Sequence, residues 1–111
     1  MNLNNDDAID EIATLFSDSE SQVLLAEIHI GEDAAEFVKS DVGRYLLGRA
    51  NQEIKAATND LKRVYPWRRN RIQQLQNQIK VHELFKSWLV EAIVSGRTAL
   101  SELDRRREEI E

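Results

Sequence analysis

From residue 43 onward the apolar positions fall into register. Gly43, Leu47, Ala50, Ile54, Ala57, Leu61 and Val64 recur at alternating spacings of four and three. That is a heptad seam, and it predicts a helix over 41–64 with one stripe turned toward a partner helix. A second seam starts at Ile72 and runs through Leu75, Ile79 and His82. It then widens to Leu84, Phe85, Trp88, Leu89, Ala92 and Ile93. A stripe that broad predicts packing on two neighbours at once. Pro66 lies between the seams and is the only proline. The residue before a proline is pushed out of the α region, so the first helix should stop there. The two patterns together predict a long antiparallel helical hairpin, about 41–64 and 69–95, with its tip at 62–71.

The pattern is weaker before residue 41. Ile9, Ile12, Ala13 and Phe16 share one face of an expected helix over 6–17, with Asn5 as its N-cap. Ser17, Asp18 and Ser19 end that helix or cap the next element. Residues 22–30 read two ways. Leu24, Ala26, Ile28 and Ile30 alternate like a strand, while Val23, Leu24 and Glu27 fit a helix. A lone strand has nothing to pair with, which weighs toward helix or irregular structure. Gly31 is expected to break the segment, with a helical turn or two over 32–39. Gly43 and Gly48 each cost about 1 kcal/mol relative to alanine inside a helix, so another helix is expected to approach closely there.

Ser95-Gly96 reads as a weak break before a C-terminal helical extension over 96–111. If the second arm continues to Ile110, it overhangs the first. Leu100, Leu103 and Ile110 are then exposed for self-association unless the N-terminal segment covers them. The expected fold is all-α: a long antiparallel helical hairpin with short N-terminal helices and a C-terminal helical extension. Its 111 residues suit a single domain, with an acidic segment 1–40, the hairpin 41–95 and the extension 96–111.

Composition narrows the chemistry. Charged residues make up 32% and aromatics 6%, which suits long helices with solvated faces. The absence of cysteine excludes disulfides, thiolate nucleophiles and thiolate-bound zinc. No apolar run approaches the ~20 residues that span a bilayer, and the polar N-terminus is unlike a secretory signal. The expected location is inside a cell, as a soluble protein or as part of something assembled there, without a membrane.

Charge is divided along the chain. Residues 1–41 hold eleven acids and one base, whereas residues 42–111 hold nine acids and fourteen bases. Oppositely charged halves attract each other within a molecule or between copies, or face different partners.

Candidate chemistry concentrates at the predicted tip. Residues 62–71 carry five positive charges, Lys62, Arg63, Arg68, Arg69 and Arg71. Lys62 and Arg63 suit the negative end of the first helix dipole. Arg68, Arg69 and Arg71 open the second helix, where positive charge is unfavourable, and so call for a compensating partner. Tyr65, Trp67, Arg68, Arg69 and Arg71 are therefore the candidate partner-binding residues. Their partner would be an acidic half of another copy or a nucleic-acid strand stacked on the rings. The alternative is that Tyr65 and Trp67 cap the hairpin. Arg105, Arg106 and Arg107 are interleaved with acids at helical spacing and read as a solvated, ion-paired face.

His29 and His82 share no motif, and His82 on an apolar seam reads as a core residue. Paired acids lie where helix ends place them. No phosphate loop, nucleophile elbow or metal spacing is present. The sequence therefore points away from an enzyme, and toward no cofactor, metal or small-molecule substrate.

The runs Ser40-Asp41-Val42-Gly43-Arg44-Tyr45-Leu46-Leu47-Gly48-Arg49-Ala50, Leu75-Gln76, Trp88-Leu89-Val90-Glu91-Ala92-Ile93 and Gly96-Arg97-Thr98-Ala99 resemble small helical proteins of tailed bacteriophages and prophages. The resemblance covers roughly residues 31–103. Some of those proteins are associated with virion assembly. It implies a non-enzymatic helical interaction protein that forms homo-oligomers or binds another phage or host protein. Dense acids in the N-terminal segment support an alternative, an inhibitor that imitates nucleic-acid charge against a host enzyme. Direct nucleic-acid binding through the tip is a third.

Overall fold

The computed structural model describes residues 18–110. Among the described residues there are three helices and no strand: α1 (Ser19–Lys39), α2 (Asp41–Arg63) and α3 (Arg69–Ile110). The protein is all-α. The expected helix over 6–17 lies outside the described residues. Among the described residues no helix is long and apolar enough to cross a membrane. Contacts gather into two compact units, one ending at residue 35 and resuming at residue 91, the other spanning residues 36–90.

In the first unit the ambiguous stretch 22–30 is helical. Asp18 starts it: its Oδ2 accepts the backbone N–H of Ser21 at 3.1 Å, as an N-cap carboxylate does. Leu25 and Ile28 of α1 bury themselves with Ala99 and Leu103 of α3, and Leu24 packs against the cluster. Leu25, Ile28 and Gly31 fall at i, i+3 and i+6, so one face of α1 is dry.

Two expected breaks are corrected here. α1 runs through Gly31 and α3 through Gly96 without interruption. Both glycines are buried at the place where α1 meets α3. A Cβ on Gly31 would lie 2.8 Å from the Gly96 Cα and 2.9 Å from the Ala92 carbonyl oxygen. Glycine loses helix propensity at each position, but only glycine lets the two backbones come this close.

The second unit holds α2 and the N-terminal part of α3. Ser40 separates α1 from α2 and caps α2. Its Oγ accepts the Gly43 N–H at 3.0 Å and donates to the Phe37 carbonyl at 2.6 Å. Gly43 is required here because a side chain would overlap the Phe37 carbonyl. Gly48 differs from expectation: beyond its own stretch of helix backbone, nothing lies within 4 Å of where its Cβ would be.

Every member of the first seam is buried or half-buried, with Gly43, Ala50 and Ala57 fully so. On α3, Leu75 is buried while Ile72, Ile79 and His82 are half-buried. Polar contacts tie the two helices together. Gln78 donates to Glu53 at 3.0 Å, Lys86 donates to Asn51 at 2.7 Å, and Arg71 pairs with Asp60 at 3.6 Å. The expected widening of the second stripe is only half filled. Phe85 and Leu89 are half-buried, but Leu84 and Trp88 are exposed.

Candidate interaction surface at the basic turn

The turn between α2 and α3 is built by local chemistry. α2 closes when the Val64 N–H bonds the Asp60 carbonyl at 2.9 Å, with Val64 itself extended. The Arg68 N–H then bonds the Tyr65 carbonyl at 3.0 Å. That is a four-residue turn with Pro66 second, where a fixed φ is favourable. The Arg68 carbonyl in turn accepts the Ile72 N–H at 3.1 Å, so Arg68 stands at the N-cap of α3. An arginine side chain has no acceptor to offer the free N–H groups there, and the first turn of α3 contains no acid.

The turn lays the two rings together. Tyr65 and Trp67 stack with centroids 4.7 Å apart and planes 9° apart. They remain 60% and 73% exposed, so the stack leaves ring surface open to a partner. Trp67, Arg68, Arg69, Asn70 and Arg71 line an open depression of about 350 Å³.

The five candidate residues are therefore together, but they are not equivalent. Arg71 has an intrachain partner, since it pairs across the turn with Asp60. Asp60 sits near the C-terminal end of α2, where an acid opposes the helix dipole, so each charge relieves the other. Arg68 and Arg69 make no ion pair among the described residues.

Of the residues expected to mediate self-association, Leu103 is fully buried. α1 is the N-terminal segment that covers it, through Leu25 and Ile28. Leu103 therefore leaves the surface. Leu100 and Ile110 stay exposed.

Local spacing did not reveal one polar cluster. Arg106, on the face that spacing reads as solvated and ion-paired, pairs with Glu102 at 3.1 Å. Arg106 also reaches back to α1, where it donates to Glu20 and, at 3.3 Å, to the Ser21 hydroxyl. Glu102 takes a second arginine, Arg105, at 2.6 Å, and Arg105 also bonds Glu109. Hydrogen bonds from Arg105 and then Arg106 lower the Glu102 pKa to about 2. The Ser21 side chain and N–H lower that of Asp18. The hydrogen bond to Glu20, then that to Glu102, raises the pKa of Arg106. This clamp ties the start of α1 to the last turns of α3.

His82 lines a shallow apolar groove of about 250 Å³ with Leu46, Arg49, Ala50 and Phe85. Among the described residues no group of three or more acids or histidines could hold a metal ion. Comparison of the chain with protein-family models, with curated proteins and with solved structures finds no match.

Proposed function

We propose that this is a non-enzymatic helical interaction protein that assembles with copies of itself, as small bacteriophage proteins do in building a virion. In this reading α2 and the start of α3 form an antiparallel hairpin. The pairs Asp60–Arg71, Glu53–Gln78 and Asn51–Lys86 support it, because one number falls as the other rises. The hairpin acts as a rigid arm that presents side chains.

One observation carries the assembly reading. Val81, Leu84 and Trp88 stand at i, i+3 and i+7 on α3 and are all exposed, Trp88 by 61%. A tryptophan in line with two aliphatic residues on one helix face is the kind of anchor on which interfaces concentrate binding energy. The opposed charges of residues 1–41 and 42–111 favour another copy as the occupant, since copies in contact neutralise each other. The groups with displaced pKa values, Asp18, Glu102, Arg105 and Arg106, all belong to the α1–α3 clamp, which suits a structural use for them.

Light scattering over a range of concentrations tests this reading. The expected mass exceeds the 12.8 kDa of one chain and falls on replacing Leu84 and Trp88 together by glutamate. A single-chain mass at every concentration would sink it.

A further inference from the structure

The crossing of α1 and α3 leaves a hole beside its two glycines. Ile28, Gly31, Ala35, Ile93, Gly96 and Leu100 supply an apolar lining, and the pocket measures about 110 Å³. Glu32 and Arg97 are its polar lining. Glu32 and its neighbour Asp33 make no ion pair among the described residues. Ile30 beside them is exposed.

The basic turn presents the complement. Trp67 is the most exposed large apolar side chain among the described residues, and the adjacent Arg68 and Arg69 lack acidic partners. We propose that the turn of one copy docks on the α1–α3 crossing of another. Trp67 enters the apolar pocket, and Arg68 and Arg69 pair with Glu32 and Asp33. Each side answers what the other leaves unsatisfied. The arginines gain carboxylates, to which their forked donors are matched. The acids gain cations, and the indole gains an apolar seat. Arg97, the one cation in the lining, suits an aromatic neighbour.

An anionic polymer would also attract the arginines. It would meet a protein of net charge -5 whose acids are concentrated in residues 1–41, so the second copy is the better occupant. Because the two docking surfaces differ, the contact is head-to-tail. Such contacts propagate into a ring or an open filament.

This contact rests on the self-assembly reading but is separable from it. The experiment is a charge swap read by light scattering over a concentration series, with circular dichroism confirming the fold of each variant. R68E/R69E and E32R/D33R should each weaken self-association by roughly tenfold or more. An equimolar mixture of the two should restore it, because the acidic turn of one then meets the basic crossing of the other. Trp67→Ala should weaken association without being rescued by the mixture. A mixture no better than either variant alone overturns the contact. So does an unchanged mass in R68E/R69E while Leu84→Glu with Trp88→Glu lowers it, a result that leaves self-assembly standing. A wild-type monomer at every concentration removes both. Binding of a short single-stranded oligonucleotide that is lost in R68E/R69E, with no change in mass, would reassign the turn to nucleic acid.

Discussion

The Cα of Gly96 lies 2.8 Å from the point a Cβ on Gly31 would occupy, and the Gly31 Cα lies 2.9 Å from the equivalent point on Gly96. Each glycine is the reason the other must be a glycine. The obstacle is backbone on both sides, so no rotamer change can make room.

Gly31→Ala and Gly96→Ala should therefore each destabilise the protein, by about 1–3 kcal/mol, although alanine is the better helix former. Gly48→Ala is the control. Beyond its own stretch of helix backbone, nothing lies within 4 Å of its missing Cβ, so it should stabilise by about 0.5–1 kcal/mol. Urea unfolding of the three variants separates these signs. A gain in stability at Gly31 would mean that the helices do not cross there.

Leu103 and Leu100 make a second contrast. Leu103 is completely buried in the cluster with Leu25, Ile28 and Ala99, whereas Leu100 is exposed at the edge of the pocket. Leu103→Ala should cost about 2–5 kcal/mol, and Leu100→Ala less than about 1 kcal/mol. Equal losses in thermal unfolding would contradict the placement of α1 over this part of α3.

Ser40 caps α2 with a side-chain acceptor and also bonds the last turn of α1. Ser40→Ala should cost about 0.5–2 kcal/mol, while Ser40→Asp, which keeps an acceptor for the Gly43 N–H, should lose less. Denaturant midpoints of the two variants give the comparison.

The clamp makes stability depend on acid. The Glu102 carboxyl is lowered from 4.5 to about 2 by hydrogen bonds from Arg105 and Arg106. A lowered carboxyl contributes its stability above the unfolded value and loses it as pH falls through the folded value. Melting temperature should therefore drop as pH is lowered from about 5 to 2, and Asp18, lowered by Ser21, contributes in the same direction. Glu102→Gln should flatten that part of the profile. Because Asp18 is exposed and Glu102 only half-buried, added salt should shrink the effect. An unchanged acid profile in Glu102→Gln would remove the clamp as its source.

Much of this architecture is legible in residue spacing. The seam from Gly43 to Val64 marks a helix, and every residue in it is buried or half-buried. Pro66 marks the turn, and the surplus of arginine after it marks the surface that local helix electrostatics leaves uncompensated. The ring stack of Tyr65 and Trp67 was not legible, because it depends on the turn geometry between them. Nor was the assignment of Arg71 to Asp60, which requires two helices to be placed side by side.

What the sequence alone determined is helical character, the stop at Pro66 and the division of charge, all of which follow from nearest neighbours along the chain. Tertiary structure decided the rest. It turned two apparent helix breakers, Gly31 and Gly96, into a contact, drew Leu103 out of the surface, and sent Arg106 to a partner 86 residues away. The physical reason is common to all three. Propensity and periodicity price a residue against its own helix, whereas the worth of a missing side chain, a buried leucine or a long cation depends on what another helix places against it.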